Sequence, residues 1–501
     1  MNTTLEDLKR RLAEVVDLHR IAYLLDWDQQ TLMPPAAAEL RAHESATLER
    51  LTHERFVSDE IGRLLDELEP YADGLDPDSD DACLFRVTRR DWEKARKVPA
   101  ELRGEMAQAA AAALPVWVEA RRSSDFRSFL PYLERNLELK LRYVHCFDGA
   151  QSAYDILLDD FEPEMKTAEV AAVFDELKRE LPPLIEQAAA GSVDDSFLRG
   201  PFPLEPQRQL NRSLLEALGW NEDAWRLDEI VHPAAYGLGT TDIRITTRYA
   251  EDGLESLFSS MHEFGHGLYE RQIDPALERT PLCAGVSLGV HESQSRLWEN
   301  LVGRSLPFLR WFYPRVQQVF PEQLGSIAVE DFYRAVNKVQ PSLIRVDADQ
   351  VTYNMHIILR FELEQDLLAG SVALDELPEA WAERMRAYLG IEVPDDRRGV
   401  LQDVHWSGGG FGYFPTYSLG NVISLQIWER VREAIPNLDE QFERGEFGAL
   451  REWLREHVHR HGRKFTPQET LRRATGSPLD AGPYLRYLKQ KVAELSGAAA
   501  A

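Results

Sequence analysis

Met261-His262-Glu263-Phe264-Gly265-His266 is the stretch around which the rest of the chain is organised. Leu254, Leu257, Phe258, Met261, Gly265 and Leu268 recur at three- and four-residue intervals, the period of a buried helix. On that helix His262 and His266 lie one turn apart on one face, so both imidazoles can reach a single metal ion. Glu263 projects beside them, where a carboxylate can take a proton from water activated at the metal. The pattern is the HExxH arrangement of zinc hydrolases. The competing possibility is a structural helix that happens to carry two histidines, and the rest of the chain has to decide.

A chain of 501 residues has ample length for a large buried core. With 44% hydrophobic and 28% charged residues it has the composition of a soluble globular protein. A formal net charge of -27 argues against nucleic acid and anionic membrane surfaces as partners. Cys83, Cys146 and Cys283 are odd in number and far apart, which argues against a disulfide framework or a thiolate zinc site. Charges throughout Met1 to Asp28 leave no secretory h-region, and no run of about 18 apolar residues reads as membrane-spanning. A cytoplasmic location is the expectation.

Helical periodicity dominates outward from the motif. It covers Leu5 to Leu25, Arg41 to Leu51, Ala100 to Arg122 and Tyr353 to Leu368, with an Ala-rich run at 108–113 that predicts a close helix–helix contact. The acidic run Asp76-Pro77-Asp78-Ser79-Asp80-Asp81 lacks the spacing of a calcium loop and reads as solvated. The carboxylates from Tyr154 to Pro163 read as a structural helix end. The best strand is Ile243 to Tyr249, which alternates and is rich in β-branched residues; lying just before the histidine helix, it is placed to offer a free edge to an extended peptide. The Gly- and aromatic-rich stretch from Gly399 to Tyr417 interrupts a helical half and is expected to carry function. No repeat or linker divides the chain. The expectation is a mostly α single catalytic domain, 1–501, with helices of about 1–230 forming cleft wall or lid and 231–501 carrying the metal site and substrate motifs.

A catalytic zinc takes three protein ligands and keeps one position open. With His262 and His266 as two, the third is sought downstream, with Glu292 first, His291 second and Glu299 third. A tetrahedral oxyanion needs a further donor, for which Tyr413, Tyr417 and His405 are available. The three histidines His457, His459 and His461 read as a solvated helix end.

The ordered motifs Asp242-x-Arg244-x-Thr246, His262 to His266, His291-Glu292-Ser293-Gln294, Ile344-Arg345-x-x-Ala348-Asp349 and Gly399-x-x-Gln402-Asp403-x-His405-Trp406 resemble those of the carboxypeptidase Taq family of zinc metallocarboxypeptidases. The resemblance spans nearly the whole length. It implies a large α-helical zincin-like (gluzincin) fold with a deep cleft and a small β-sheet beside the HExxH helix. It also implies Glu292 as third zinc ligand, one Zn2+ per chain with Co2+ or Mn2+ as possible substitutes, and a homodimer. The implied activity is stepwise removal of C-terminal residues from peptides with a free terminal carboxylate. One departure stands out: family members commonly have Phe after the His-Pro that precedes the first motif, where this chain has His232-Pro233-Ala234. That puts the family's usual substrate-length limit in question.

Holding a terminal carboxylate suits a planar Arg. Arg345 is the first choice, Arg360 (four residues after His356 on one helix face) the second and Arg244 the third, with Gln402 and Asp403 grouped at the same substrate-binding site. Each arginine has a competing role as ion-pair partner of a nearby aspartate. The rival functions are a related helical zinc oligopeptidase, cutting internally or releasing dipeptides, and a non-catalytic peptide-binding scaffold, against which the intact Glu263 argues.

Overall fold

The computed structural model describes residues 2–149, 152–189 and 191–496. Helix α1, Thr3–Thr31, starts where Asn2 accepts from the Thr4 and Leu5 amides, and α2, Ala38–Phe56, turns back along it. The first half of α1 buries Leu5, Leu8, Leu12 and Val15. The second half leaves Ile21, Tyr23 and Leu24 exposed, although the periodicity of the stretch predicts a continuous apolar face. Thr52 is the one buried residue of α2, which rests on α1 and on little else.

Helices α3, Ala100–Ser123, and α4, Phe126–Val144, pack along each other, and the Ala-rich run lies in this pair, with Ala113 fully buried. The short helix α5, Ala153–Asp159, ends in carboxylates that are structural. Asp155 accepts from Thr167, Asp159 pairs with Arg90 and Lys94, and buried Glu162 accepts from the Gly289 amide. The described core has one large apolar cluster and a smaller one in which α1 meets Ile61–Leu68 and Ile273–Leu282.

The β structure is one three-stranded sheet of β1, Trp225–Glu229, β2, Ala235–Gly237, and β3, Ile243–Thr247. Its order is β1-β3-β2, with β1 parallel to β3 (Trp225 opposite Ile243) and β2 antiparallel (Tyr236 opposite Arg244). The strand expected to offer a free edge is therefore the central one. Its backbone is paired on both sides, and Ile243, Ile245, Thr246 and Thr247 are buried, with the histidine helix packed against the strand. The edge beside the histidine helix is β2, which grows from the departing His232-Pro233-Ala234 stretch.

Behind the sheet lies α6, Glu255–Arg271, the helix expected from the motif. Next comes α7, Leu288–Arg296, whose N-cap Ser287 accepts from the Val290 amide, and which runs on as a π-helix over Leu297–Gly303. Helix α8, Tyr353–Ala369, is buried on nearly every side, and α9, Pro415–Ala434, packs against α7.

Candidate metal centre and cleft

The α6 helix puts the Nε2 atoms of His262 and His266 at 3.5 and 3.3 Å from Glu292 Oε2 on α7. Among the described residues these three form the one group able to hold a metal, with one ligand atom from each residue lying within 4.8 Å of the others. The donor set of two imidazoles and a carboxylate is that of a catalytic zinc, and among the described residues no fourth His, Cys, Asp or Glu joins it. The residues fit the ion that the motif implies.

The groups behind the ligands are equally ordered. Glu292 Oε1 accepts from Arg296 Nε at 2.7 Å, and Oε2 from Ser295 Oγ at 3.0 Å. Burial raises the Glu292 pKa, but Arg296 and the two histidines overrule it and hold the carboxyl well below the usual range. Glu299 Oε2 meets His262 Nδ1 at 2.9 Å and accepts from Arg296 at 3.2 Å. His291 Nδ1 lies 2.7 Å from His266 Nδ1. The second- and third-choice ligands, His291 and Glu299, thus sit behind the two histidines on their Nδ1 sides. The reason is geometric. The π-turns carry Glu299 round behind His262, although a regular α-helix places it on nearly the same face as Glu292.

Burial opposes charge on His262, yet Glu292, Glu299 and Glu263 together lift its pKa to about 9. At His266 burial prevails and takes the pKa down to about 3. A divalent cation would answer the same carboxylates that hold the proton on His262. Glu263 is buried, which pushes its carboxyl up to about 7 against the pull of His262.

On the adjoining wall, Tyr413 and Tyr417 stack edge to face at 5.3 Å, and His405 Nε2 lies 3.3 Å from the Tyr417 hydroxyl. Burial raises both tyrosine pKa values, so the hydroxyls keep their protons. Arg345 is 5% exposed and lies over the Tyr417 ring at 4.7 Å. Its Nε and one terminal nitrogen donate to Asp403 Oδ1 at 3.0 and 2.7 Å, and the other terminal nitrogen donates to the Tyr353 hydroxyl at 2.9 Å. Tyr353 in turn packs under Arg296 at 4.7 Å, so one aromatic ring separates Arg345 from the arginine that clamps Glu292.

Five expected substrate contacts, Arg360, His356, Arg244, Gln402 and Asp403, are sealed in the interior or engaged by other side chains. Arg360 is 0% exposed, donating to Asp403 Oδ2 at 2.7 Å and to the His356 carbonyl at 2.6 Å, and it reaches no cleft surface. His356 is likewise 0% exposed, and burial pushes its pKa down to about 3, with Arg360 and Arg345 adding repulsion. Arg244 forks onto both oxygens of Asp242 at 3.0 Å and lies 4.2 Å over the Trp27 ring, tying α1 to the sheet. Gln402 staples its own loop, accepting from the Arg345 amide and donating to the Leu343 and Arg398 carbonyls. Asp403 is the carboxylate between Arg345 and Arg360, which overrule its burial and hold it far below the usual range. Of the C-terminal histidines, His459 is fully buried between Gln272 and Gln294, not solvated.

Residues absent from the sequence reading complete the picture. Arg296 stands four residues after Glu292 and three before Glu299, a spacing that marks it as their shared cation. Glu364 accepts from the Tyr154 hydroxyl, Trp406 Nε1 and the Gly412 amide at 2.7, 2.8 and 3.0 Å. With Tyr353, His356 and Arg360 it makes a polar stripe at helical spacing inside an otherwise apolar α8, and that stripe is the sequence signal.

Sheet and site together define the class, a helical metallopeptidase of the zincin type. A family model for carboxypeptidase Taq (M32) metallopeptidase matches residues 7–492, and the chain belongs to that family. Thermostable carboxypeptidase 1 of Thermus thermophilus is 43% identical over 496 residues, 97% of either chain. Carboxypeptidase 1 of Bacillus subtilis is 38% identical over 94% of either chain. The crystal structure of an M32 carboxypeptidase from Deinococcus radiodurans matches with a TM-score of 0.96 at 42% identity, covering 99% of this chain and 100% of that one. The chain is thus a metal-dependent carboxypeptidase, and neither rival function finds support among these relatives.

Proposed function

We propose that the chain removes single C-terminal residues from peptides of broad sequence, using one zinc ion held by His262, His266 and Glu292. The observation that carries this is the convergence of those three ligand atoms beside the buried carboxyl of Glu263. Two imidazoles and a carboxylate also accept cobalt or manganese. When bound, the ion supplies Lewis acidity, polarising a carbonyl and acidifying water.

The chain's own residues do the rest. Glu263, with its pKa near neutrality, takes the proton of the attacking water and returns it to the leaving nitrogen. Tyr413 or Tyr417, protonated and at the cleft wall, donates to the developing oxyanion, with His405 orienting Tyr417. Arg345 anchors the substrate's terminal carboxylate. Asp403 and Tyr353 engage three of its five N–H donors, which fixes the guanidinium plane and leaves the others for a ligand. Asp403, Arg360 and Gln402 act through Arg345 by holding it in place.

The N-terminal helices, about 1–230, wall the cleft, with α1 tied to the sheet through Arg244 and Arg226 over Trp27. The exposed apolar side chains of α1, its C-cap and α2, Ile21, Tyr23, Leu32 and Leu40, favour a homodimer. Among the described residues no helix is long and apolar enough to cross a membrane. The proposed location is the cytoplasm, whose reducing conditions suit the three free cysteines.

The test is one peptide with a free and with an amidated C-terminus. Wild type is expected to cleave only the free form, and Arg345→Met to lose most kcat/KM on it. Equal cleavage of the two forms would overturn the exopeptidase reading.

A further inference from the structure

The two histidines of α6 are held from behind in different ways. His262 Nδ1 has a carboxylate directly on it, that of Glu299. His266 Nδ1 instead faces Nδ1 of His291 at 2.7 Å, and the far nitrogen of His291, Nε2, lies 2.9 Å from Glu270 Oε1. Glu270 Oε1 also accepts from the Gly285 amide at 2.9 Å.

We propose that His291 and Glu270 form a positioning relay, which fixes the tautomer and ring plane in which His266 presents Nε2 to a metal. The inference rests on His266 being a metal ligand, as proposed above. The proton positions follow from that. A neutral imidazole that gives its Nε2 lone pair away carries its one proton on Nδ1. That N–H can only donate to His291 Nδ1, which must then be the bare nitrogen of its ring. The His291 proton therefore sits on Nε2 and points at Glu270, whose carboxylate can only accept. Each donor meets an acceptor, and the opposite direction would leave Glu270 facing a lone pair.

The packing is cut to this arrangement. His291 leans on the Tyr269 ring at 5.2 Å, and the Tyr269 hydroxyl accepts from the Val286 amide at 3.2 Å. A Cβ on Gly285 would come within 2.5 Å of His291 Cδ2, and one on Gly237 within 2.8 Å of Glu270 Cγ. Both relay members thus occupy space that only glycine leaves open. Gly237 belongs to the edge strand β2, so the relay runs from the metal centre to the edge of the sheet.

The experiment is zinc affinity by chelator competition for wild type, His291→Phe, His291→Asn and His266→Ala, with the thermal midpoint of each metal-free protein as the check on folding. Phe keeps ring volume and loses both nitrogens, and affinity should fall by about 10–100-fold. Asn places its amide oxygen where Nδ1 stood and should recover most of that loss, whereas a purely packing role predicts that Asn does no better than Phe. If His291→Phe does not fold, Gly285→Ala displaces the imidazole with one methyl group and should weaken zinc in the same direction. Wild-type affinity in His291→Phe, or in Gly285→Ala in its place, would overturn the relay and leave the metal site standing. Equal zinc binding by wild type and His266→Ala would overturn the site itself and the relay with it.

Discussion

Glu263 and His262 are neighbours in sequence with separate tasks, and substitution can separate them. Glu263→Gln keeps the side chain's size and removes the group that carries a proton. The variant should retain full zinc content while kcat falls by about 10²–10⁴-fold. Unchanged turnover at full metal occupancy would remove Glu263 from the chemistry. At this scale the sequence was most legible where chemistry and periodicity coincide. Two histidines one turn apart and a glutamate between them are visible from spacing alone, and Glu292 follows once the family motif is seen. The arginines were not separable in the same way. Arg345, Arg360 and Arg244 all stand near aspartates in sequence or motif, and only burial distinguishes them. Arg360 is fully sealed under Asp403 and Arg244 is drawn to Asp242 and Trp27, whereas Arg345 keeps 5% exposure beside Tyr417.

Between elements, the site depends on how α7, α8 and α9 meet. A Cβ at Gly420 on α9 would come within 2.5 Å of Glu292 Cγ. Gly420→Ala should therefore lower the thermal midpoint, at a cost of about 1–3 kcal/mol, and weaken zinc binding by pushing Glu292 off its position. An unchanged midpoint would mean that the two helices can part there freely. The Gly-rich loop is fastened to α8 by Arg360 on Asp403 and by Glu364 on Trp406 and Gly412. Burial pushes the Glu364 carboxyl from 4.5 up to about 7, against its three donors and Arg360. The folded protein therefore holds a proton that the unfolded chain releases between those two values. The stability it brings is present at low pH and lost as pH rises through the window. Glu364→Gln should flatten that slope by about 1–3 kcal/mol in denaturant unfolding between about pH 5 and pH 7.5. A slope equal to wild type would show that Glu364 is ionised throughout. These joints were poorly legible in advance. The helices could be read from their period, but the π-turns at Leu297–Gly303 and the polar stripe of α8 arise from tertiary partners far along the chain.

For the whole molecule, the sequence placed the fold in its class and misplaced its sheet edge. Alternation and β-branching marked Ile243 to Tyr249 as strand, of which Ile243–Thr247 is one, but those features are as strong in a central strand as at an edge, and the short β2 has too little pattern to be seen. The exposed second half of α1 shows the same limit, since an apolar period does not say what covers it. A second copy of the chain is the proposed cover. Sedimentation of wild type should give a dimer, and Ile21→Lys with Leu40→Lys a monomer. A wild-type monomer would contradict that cover. The central claim concerns the direction and step of cleavage, and it is tested most directly on a mixed peptide pool followed by mass spectrometry with metal-free and zinc-loaded protein. Successive one-residue losses from the C-terminus, in the zinc-loaded sample only, are the predicted result. Internal fragments, two-residue steps or equal cleavage without metal would contradict it.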